Sequence, residues 1–230
     1  MKLSIIIPCY NEKKTIEKIV SKIIKIKIDK EIIIIDDCSN DGTREIIKKF
    51  NNPNIKKKFH KKNLGKGAAI KTGKKLVKGN VILIQDADLE YSPSDYKSLM
   101  VPIKNKKSNV VYGSRVLGRR KNNSKFTSNI RIFGNYLLTK ISNLINNQKL
   151  TDAHTCYKVF NAKIFNKLNL KENDFRFCPE VTCKVSKLNE KIIEVPIRYK
   201  GRSIENGKKI RLKDGFLALQ CLIKYGVFNK

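Results

Sequence analysis

No stretch of the 230 residues approaches the roughly 18 unbroken apolar residues that a membrane-spanning helix needs. The leading apolar run, residues 3–7, is shorter than the apolar centre of a secretory signal, and Pro8 ends it. The expectation is therefore a cytoplasmic chain. Cysteine occurs six times, without paired zinc spacing and without a dense disulfide pattern. Cys9, Cys38, Cys156, Cys178, Cys183 and Cys221 are thus expected to be reduced and mostly packed inside. Internal repeats and low-complexity linkers are missing as well. With 40% hydrophobic residues, residues 1–230 read as one compact domain, its halves at 1–115 and 116–230.

Acidic residues are scarce. Only 20 Asp+Glu stand against 50 Lys+Arg, a formal net charge of +30. Such a balance suits nucleic acid, whose phosphates need Lys and Arg, or an anionic membrane surface. It is also what an excess of Lys, Ile and Asn gives when most lysines are merely solvated. The basic residues are spread along the chain, and no helix carries Arg and Asn on one face. Nucleic acid is not the expected partner.

The first 113 residues alternate between two hydrophobic periods. Residues 3–7, 31–35, 55–59, 81–84 and 110–112 read as strands. Between them, residues 16–24, 43–50, 64–77 and 93–103 read as helices. This alternation predicts an α/β fold, a mostly parallel sheet flanked by helices, with ligands beyond the carboxyl ends of the strands. Further on, residues 118–128 read as a basic loop, 130–145 as an amphipathic helix and 157–160 as an edge strand. Residues 179–188 read as a helix, 192–197 as a strand, 200–211 as a basic loop and 214–228 as a closing amphipathic helix.

Four segments at that sheet edge carry chemistry. Asp86-Ala87-Asp88-Leu89-Glu90 follows the apolar run 81–84 directly, and Asp86 and Asp88 can converge on one ion there. Magnesium takes one or two protein carboxylates and fills its other positions with water and phosphate. Asp36-Asp37 ends the run 31–35 and leads into turn chemistry, Ser39-Asn40-Asp41-Gly42-Thr43. Its carboxylates either accept from a base and a ribose or only cap the turn. Pro8-Cys9-Tyr10-Asn11-Glu12 leaves the first strand, and Pro8 is expected to force a turn. Tyr10 and Glu12 can reach a nucleotide, or Glu12 supports the next helix. Asn63-Leu64-Gly65-Lys66-Gly67 opens a helix without the Gly-Lys-Ser/Thr ending of a phosphate-binding Walker loop; close packing under the nucleotide is its expected role, ahead of phosphate contact.

Together with Tyr112-Gly113-Ser114-Arg115, these segments resemble family 2 glycosyltransferases of the GT-A fold, above all the dolichyl- and polyprenyl-phosphate sugar transferases. The resemblance is strong over residues 2–115 and weaker to about 225. It implies that Pro8, Tyr10, Glu12 and Asp37 line the nucleoside site. Asp86, Ala87 and Asp88, with Glu90, would surround the diphosphate and a Mg2+ or Mn2+ ion. Arg115 would face an acceptor phosphate or the donor, and Arg202 with Lys208 or Lys209 would close over a phosphate. Thr151-Asp152 and Phe177-Cys178-Pro179-Glu180 match family segments near sugar and acceptor, although Glu180 also suits a structural role. His154 is expected to be a satisfied structural histidine.

The implied reaction inverts the anomeric carbon by in-line displacement, moving a hexose from a GDP-mannose- or UDP-glucose-type donor to a lipid phosphate. Such an acceptor is already anionic and needs no base. A saccharide hydroxyl, the alternative acceptor, needs one, and Asp152 is the first candidate. Tryptophan is absent, and with it the Gln-x-x-Arg-Trp signature of processive polysaccharide synthases. Many bacterial relatives continue into transmembrane helices, so membrane contact here is expected to be peripheral, through residues 130–145 and 214–228, or to come from a membrane-anchoring protein partner.

Overall fold

The computed structural model describes residues 1–121, 124–125, 129–202 and 212–228. The elements run β1 (Leu3–Cys9), α1 (Ile16–Ile24), β2 (Lys30–Asp36), α2 (Thr43–Lys49), β3 (Ile55–Phe59), α3 (Lys66–Lys74), β4 (Val81–Ile84), α4 (Tyr96–Lys104) and β5 (Val110–Ser114). They continue with α5 (Arg115–Arg120), β6 (Ser124–Lys125), α6 (Asn129–Asn146), β7 (Lys158–Asn161), α7 (Ala162–Lys167), α8 (Phe177–Lys187), β8 (Ile192–Pro196), β9 (Tyr199–Lys200) and α9 (Leu212–Ile223). A π-helical turn, Lys224–Phe228, follows α9. None of the six cysteines is in a disulfide, and four of them are buried.

Seven strands form one sheet in the order β3-β2-β1-β4-β7-β5-β8. All neighbours are parallel except β7, which is antiparallel to both β4 and β5. The apolar runs explain the centre: β1, β2 and β4 are covered on both faces, and Ile5, Ile6, Ile33, Ile34, Leu83 and Ile84 are fully buried. Helix α1 closes one face with Ile16, Ile19, Val20 and Ile23, a helical spacing. The edge strand β3 carries Lys56, Lys57 and Lys58, charges that discourage pairing with another chain.

Three expectations change. Pro8 does not turn the chain but lies within β1, opposite Ile35 of β2. The Ile6 carbonyl accepts from Gln85 N on the β4 side. Side alternates along a strand, so Pro8 faces that same side, past the last β4 residue, Ile84. No ladder bond is lost. Residues 157–160 are not at an edge: β7 lies inside the sheet, with Phe160 opposite Ile82 and Val110. The expected loop at 118–128 begins as helix, because α5 extends to Arg120.

Helix α6 inverts a simple amphipathic pattern. Thr139, Ser142 and Asn146 are buried, whereas Phe133 is 67% and Leu144 87% exposed. Thr139 Oγ1 accepts from Ala153 N at 3.2 Å, and Ser186 donates to the Asn146 carbonyl at 2.6 Å. The polar face is inward because the backbone it covers needs partners. Ile141 and Ile145 pack on a small cluster of Cys183, Cys221, Leu222 and Tyr225. Among the described residues no helix is long and apolar enough to cross a membrane.

Candidate active site

Because β1, β2 and β4 are parallel, their carboxyl ends share one edge, and a cleft of about 330 Å3 opens there. It is lined by Pro8, Tyr10, Glu12, Asp37, Asp86, Ala87, Asp88, Glu90 and Arg202, all expected from the sequence. Cys9, Asn63, Gly65, Lys66, Ala69 and Phe175 also line it. Most of the lining comes from the first 90 residues; Phe175 and Arg202 return from far along the chain.

The two-aspartate turn divides its work. Asp36 is fully buried and pairs with Arg44 at 2.7 Å, a structural role. Asp37 reaches the cleft, but its oxygens already bind Leu64 N at 2.9 Å, Gly65 N at 2.7 Å and His60 Nδ1 at 2.7 Å. It thereby ties the start of α3 to the end of β2.

The glycines of that start do pack closely. Gly65 has φ +94°, and a Cβ on Gly67 would lie 2.5 Å from the Glu172 carbonyl oxygen. The 172–174 backbone rests on them and Asn173 accepts from Ala68 N at 2.9 Å. Glu180, fully buried, holds this stretch by accepting from Lys171 N and Glu172 N at 2.5 and 3.0 Å. Its place is structural, and α8 thus braces α3 from behind the cleft.

In the acidic turn every carboxylate has a cationic or donor partner. Lys66 Nζ lies 2.5 Å from Asp86. Arg202 lies 2.9 Å from Asp88 and 2.8 Å from Glu12. Glu90 accepts from Arg202 N at 2.8 Å and from Tyr199 OH at 3.0 Å, so it anchors the segment that carries Arg202. Glu12 also accepts from Thr15 Oγ1 at 2.8 Å, which supports the start of α1. Burial raises the Asp88 carboxyl, the neighbouring carboxylates of Asp86 and Glu90 raise it further, and Arg202 opposes them; it is pushed up to about 7. Burial also disfavours charge on Asp86, but Lys66 prevails and holds it below the usual range. An all-carboxylate donor set suits a hard divalent ion. Among the described residues no trio of ligating side chains is already gathered. Asp86 and Asp88 with a diphosphate and water would complete the coordination, so the residues fit Mg2+ or Mn2+.

Arg115 and Asp152 are not in the cleft lining. Asp152 is fully buried and holds Arg115 through Nε and Nη2, each at 2.7 Å. Burial works against its charge, but Arg115 keeps the carboxyl below the usual range. It has no free oxygen positioned to act as a base. Arg115 also covers the Tyr199 ring at 5.2 Å. His154 differs from the expected satisfied histidine: its buried Nε2 has no hydrogen-bond partner among the described residues. Burial, helped by Lys158, lowers its pKa to about 4. Lys208 and Lys209 lie outside the described residues.

Lys66 was not singled out for its side chain. A signal existed: it is the first residue of α3, whose first turn has no acidic residue. A cation there opposes the helix dipole, which points to a carboxylate partner elsewhere. Nothing in the sequence marked Phe175.

Residues 4–168 match the sequence model described as glycosyl transferase family 2. The UDP-N-acetylglucosamine--dolichyl-phosphate N-acetylglucosaminyltransferase of Methanococcus voltae is 30% identical, with 96% of each chain covered. A dolichyl-phosphate beta-glucosyltransferase of Trichomonas vaginalis is 27% identical, covering 99% of this chain and 74% of the relative. Glucosyl-3-phosphoglycerate synthase of Mycobacterium tuberculosis, solved with Mn2+, UDP-glucose and phosphoglyceric acid, has a TM-score of 0.74 at 15% identity, over 97% of this chain and 79% of its own. That likeness concerns the fold, a GT-A glycosyltransferase fold.

Proposed function

The chain belongs to glycosyl transferase family 2, and from that premise we propose that it moves a hexose from a nucleotide sugar to a polyprenyl or dolichyl phosphate. The observation that carries this reading is the cleft beyond β1, β2 and β4, where Glu12, Asp37, Asp86, Asp88 and Glu90 face Lys66 and Arg202. Two curated relatives are named for dolichyl-phosphate acceptors. Pro8, Tyr10, Glu12 and Asp37 bind the nucleoside. Asp86 and Asp88 would hold a Mg2+ or Mn2+ ion, which supplies positive charge where negative charge develops on the leaving diphosphate.

The reaction is one in-line displacement with inversion. A phosphate oxygen of the acceptor bonds to the anomeric carbon while the bond from that carbon to the diphosphate breaks. The attacking oxygen is anionic at neutral pH, so no residue need take a proton. That agrees with Asp152, the first candidate for a base, being bound to Arg115. What this chain's residues do is position the two anions and offset their repulsion, with Lys66 and Arg202 the cations that pair with the acidic turn. Residues 1–115 serve the donor, joined by Phe175 and Arg202, and the remainder of 116–230 serves the acceptor.

The acceptor's apolar tail fits the outer faces of α6 and α9. Phe133, Tyr136, Leu137 and Leu144 are exposed on one, and Phe216, at 75%, on the other. Arg120 and Lys140 line one pocket with Tyr136, Lys140 at 5.5 Å from its ring, and Lys213 is exposed on α9. Apolar side chains with cations beside them suit peripheral contact with an anionic bilayer.

The test is incubation of the purified chain with polyprenyl phosphate, Mn2+ or Mg2+, and a panel of UDP- and GDP-sugars. A chloroform-soluble sugar phosphate, lost on chelation, is the expected product. Transfer to saccharide hydroxyls with none to lipid phosphate would overturn the acceptor assignment.

A further inference from the structure

Among the described residues the cleft is lined by five carboxylates and two cationic side chains, Lys66 and Arg202. Both cations rest on carboxylates of the acidic turn, where a divalent ion would bind. We propose that Lys66 and Arg202 are exchangeable counter-ions: they neutralise Asp86 and Asp88 in the ligand-free cleft, and pass to the donor's diphosphate when a divalent ion takes those carboxylates. This rests on the donor site proposed above and adds a role for Lys66.

The geometry of Lys66 argues for exchange. Its one carboxylate partner among the described residues is Asp86, at 2.5 Å; Cys156 Sγ follows at 3.4 Å. As the first residue of α3, it stands where the helix field repels a cation and attracts an anion. Asp86 compensates that. Once Asp86 turns to another cation, the fitting partner for Lys66 at that helix start is a phosphate.

Arg202 differs in having several partners. Its guanidinium bridges Asp88 and Glu12, and its backbone N–H holds Glu90. Release of Asp88 leaves Nη1 and Nη2 on the Glu12 carboxylate and the backbone N–H on Glu90, and a phosphate oxygen replaces Asp88 at Nη2. Without a metal ion, the carboxylates of Asp86 and Asp88 also repel a diphosphate placed beside them. The divalent ion and the diphosphate each remove the obstacle to the other, so their binding is mutually dependent.

Mn2+ binding to the purified chain, read from the spin-resonance signal of the free ion, tests this. In the wild type, Mn2+ alone binds weakly, and UDP or GDP tightens it by at least about tenfold. A bridging ligand alone would produce that coupling, so the variants decide. Lys66→Met and Arg202→Met should each tighten Mn2+ alone by about tenfold, and weaken UDP or GDP at saturating Mn2+. Lys62→Met, an exposed control beside the cleft, should change neither. Should Lys66→Met fold poorly, Lys66→Gln still donates to Asp86 without charge and gives the same reading. Mn2+ affinity within about twofold of wild type in both cleft variants, in a protein that binds nucleotide with Mn2+, overturns the exchange and leaves the donor site standing. A wild type that binds neither ligand overturns both.

Discussion

Arg115 and Asp152 hold each other through two bonds of 2.7 Å, and neither lines the cleft. Asp152→Ala leaves a buried guanidinium without its counter-charge and should destabilise the chain by about 3–5 kcal/mol. The double variant Arg115→Met/Asp152→Leu should regain a large part of that. Urea midpoints measure both. If Asp152 were instead a base for a hydroxyl acceptor, Asp152→Ala would lose turnover while keeping its urea midpoint.

Close approach of two backbones makes a second prediction. A methyl group on Gly67 would meet the Glu172 carbonyl oxygen at 2.5 Å, and backbone cannot yield as a flexible side chain does. Gly67→Ala should cost about 1–3 kcal/mol by urea unfolding. Nucleotide affinity should fall with it, because the same α3 start is bonded to Asp37.

Asp88→Asn separates catalysis from folding. Asp88 is held up to about 7 by burial and by the charges of Asp86 and Glu90. Removing its charge relieves crowding, so at pH 8 the ligand-free variant should melt at or above the wild-type temperature. Sugar transfer should fall by at least about 100-fold. A variant that melts well below wild type would contradict the crowding.

His154 predicts a pH effect on stability. Its folded pKa is about 4, against roughly 6.5 for an unfolded histidine. Between these values the unfolded chain binds the proton and the folded chain does not. The contribution is therefore whole above about 6.5 and is lost as pH falls toward 4. The urea midpoint of wild type, taken relative to that of His154→Gln, should fall as pH drops through that window; a constant difference would contradict it.

The exposed faces of α6, of α9 and of the turn that follows it predict binding to anionic vesicles. Leu144, 87% exposed, and Phe228, 78% exposed, touch little of the domain. Leu144→Glu/Phe228→Glu should change stability by no more than about 0.5 kcal/mol per site. Co-sedimentation with phosphatidylglycerol vesicles should drop, and wild-type binding should weaken as salt rises. Equal sedimentation of variant and wild type would rule these faces out.

Short-range order was written in the chain. Short apolar runs, alternating with helical spacing, specify covered parallel strands, and parallel strands place Asp37, Asp86 and Asp88 at one edge. Period and polarity are local properties, so a sequence displays them. Contacts between distant residues are not local. That Arg202 crosses 190 positions to Glu12, that β7 inserts between β4 and β5, and that Thr139 faces inward while Phe133 faces water were decided by tertiary packing. The same holds for the basic residues. Composition offers 50 Lys and Arg as equals. Only the fold makes Lys158 a fully buried ammonium bonded to the Ala153 and Thr155 carbonyls, and Lys66 the partner of Asp86. The reason is desolvation: a buried charge needs a partner brought to it by another segment, and sequence neighbours do not reveal which segment that is.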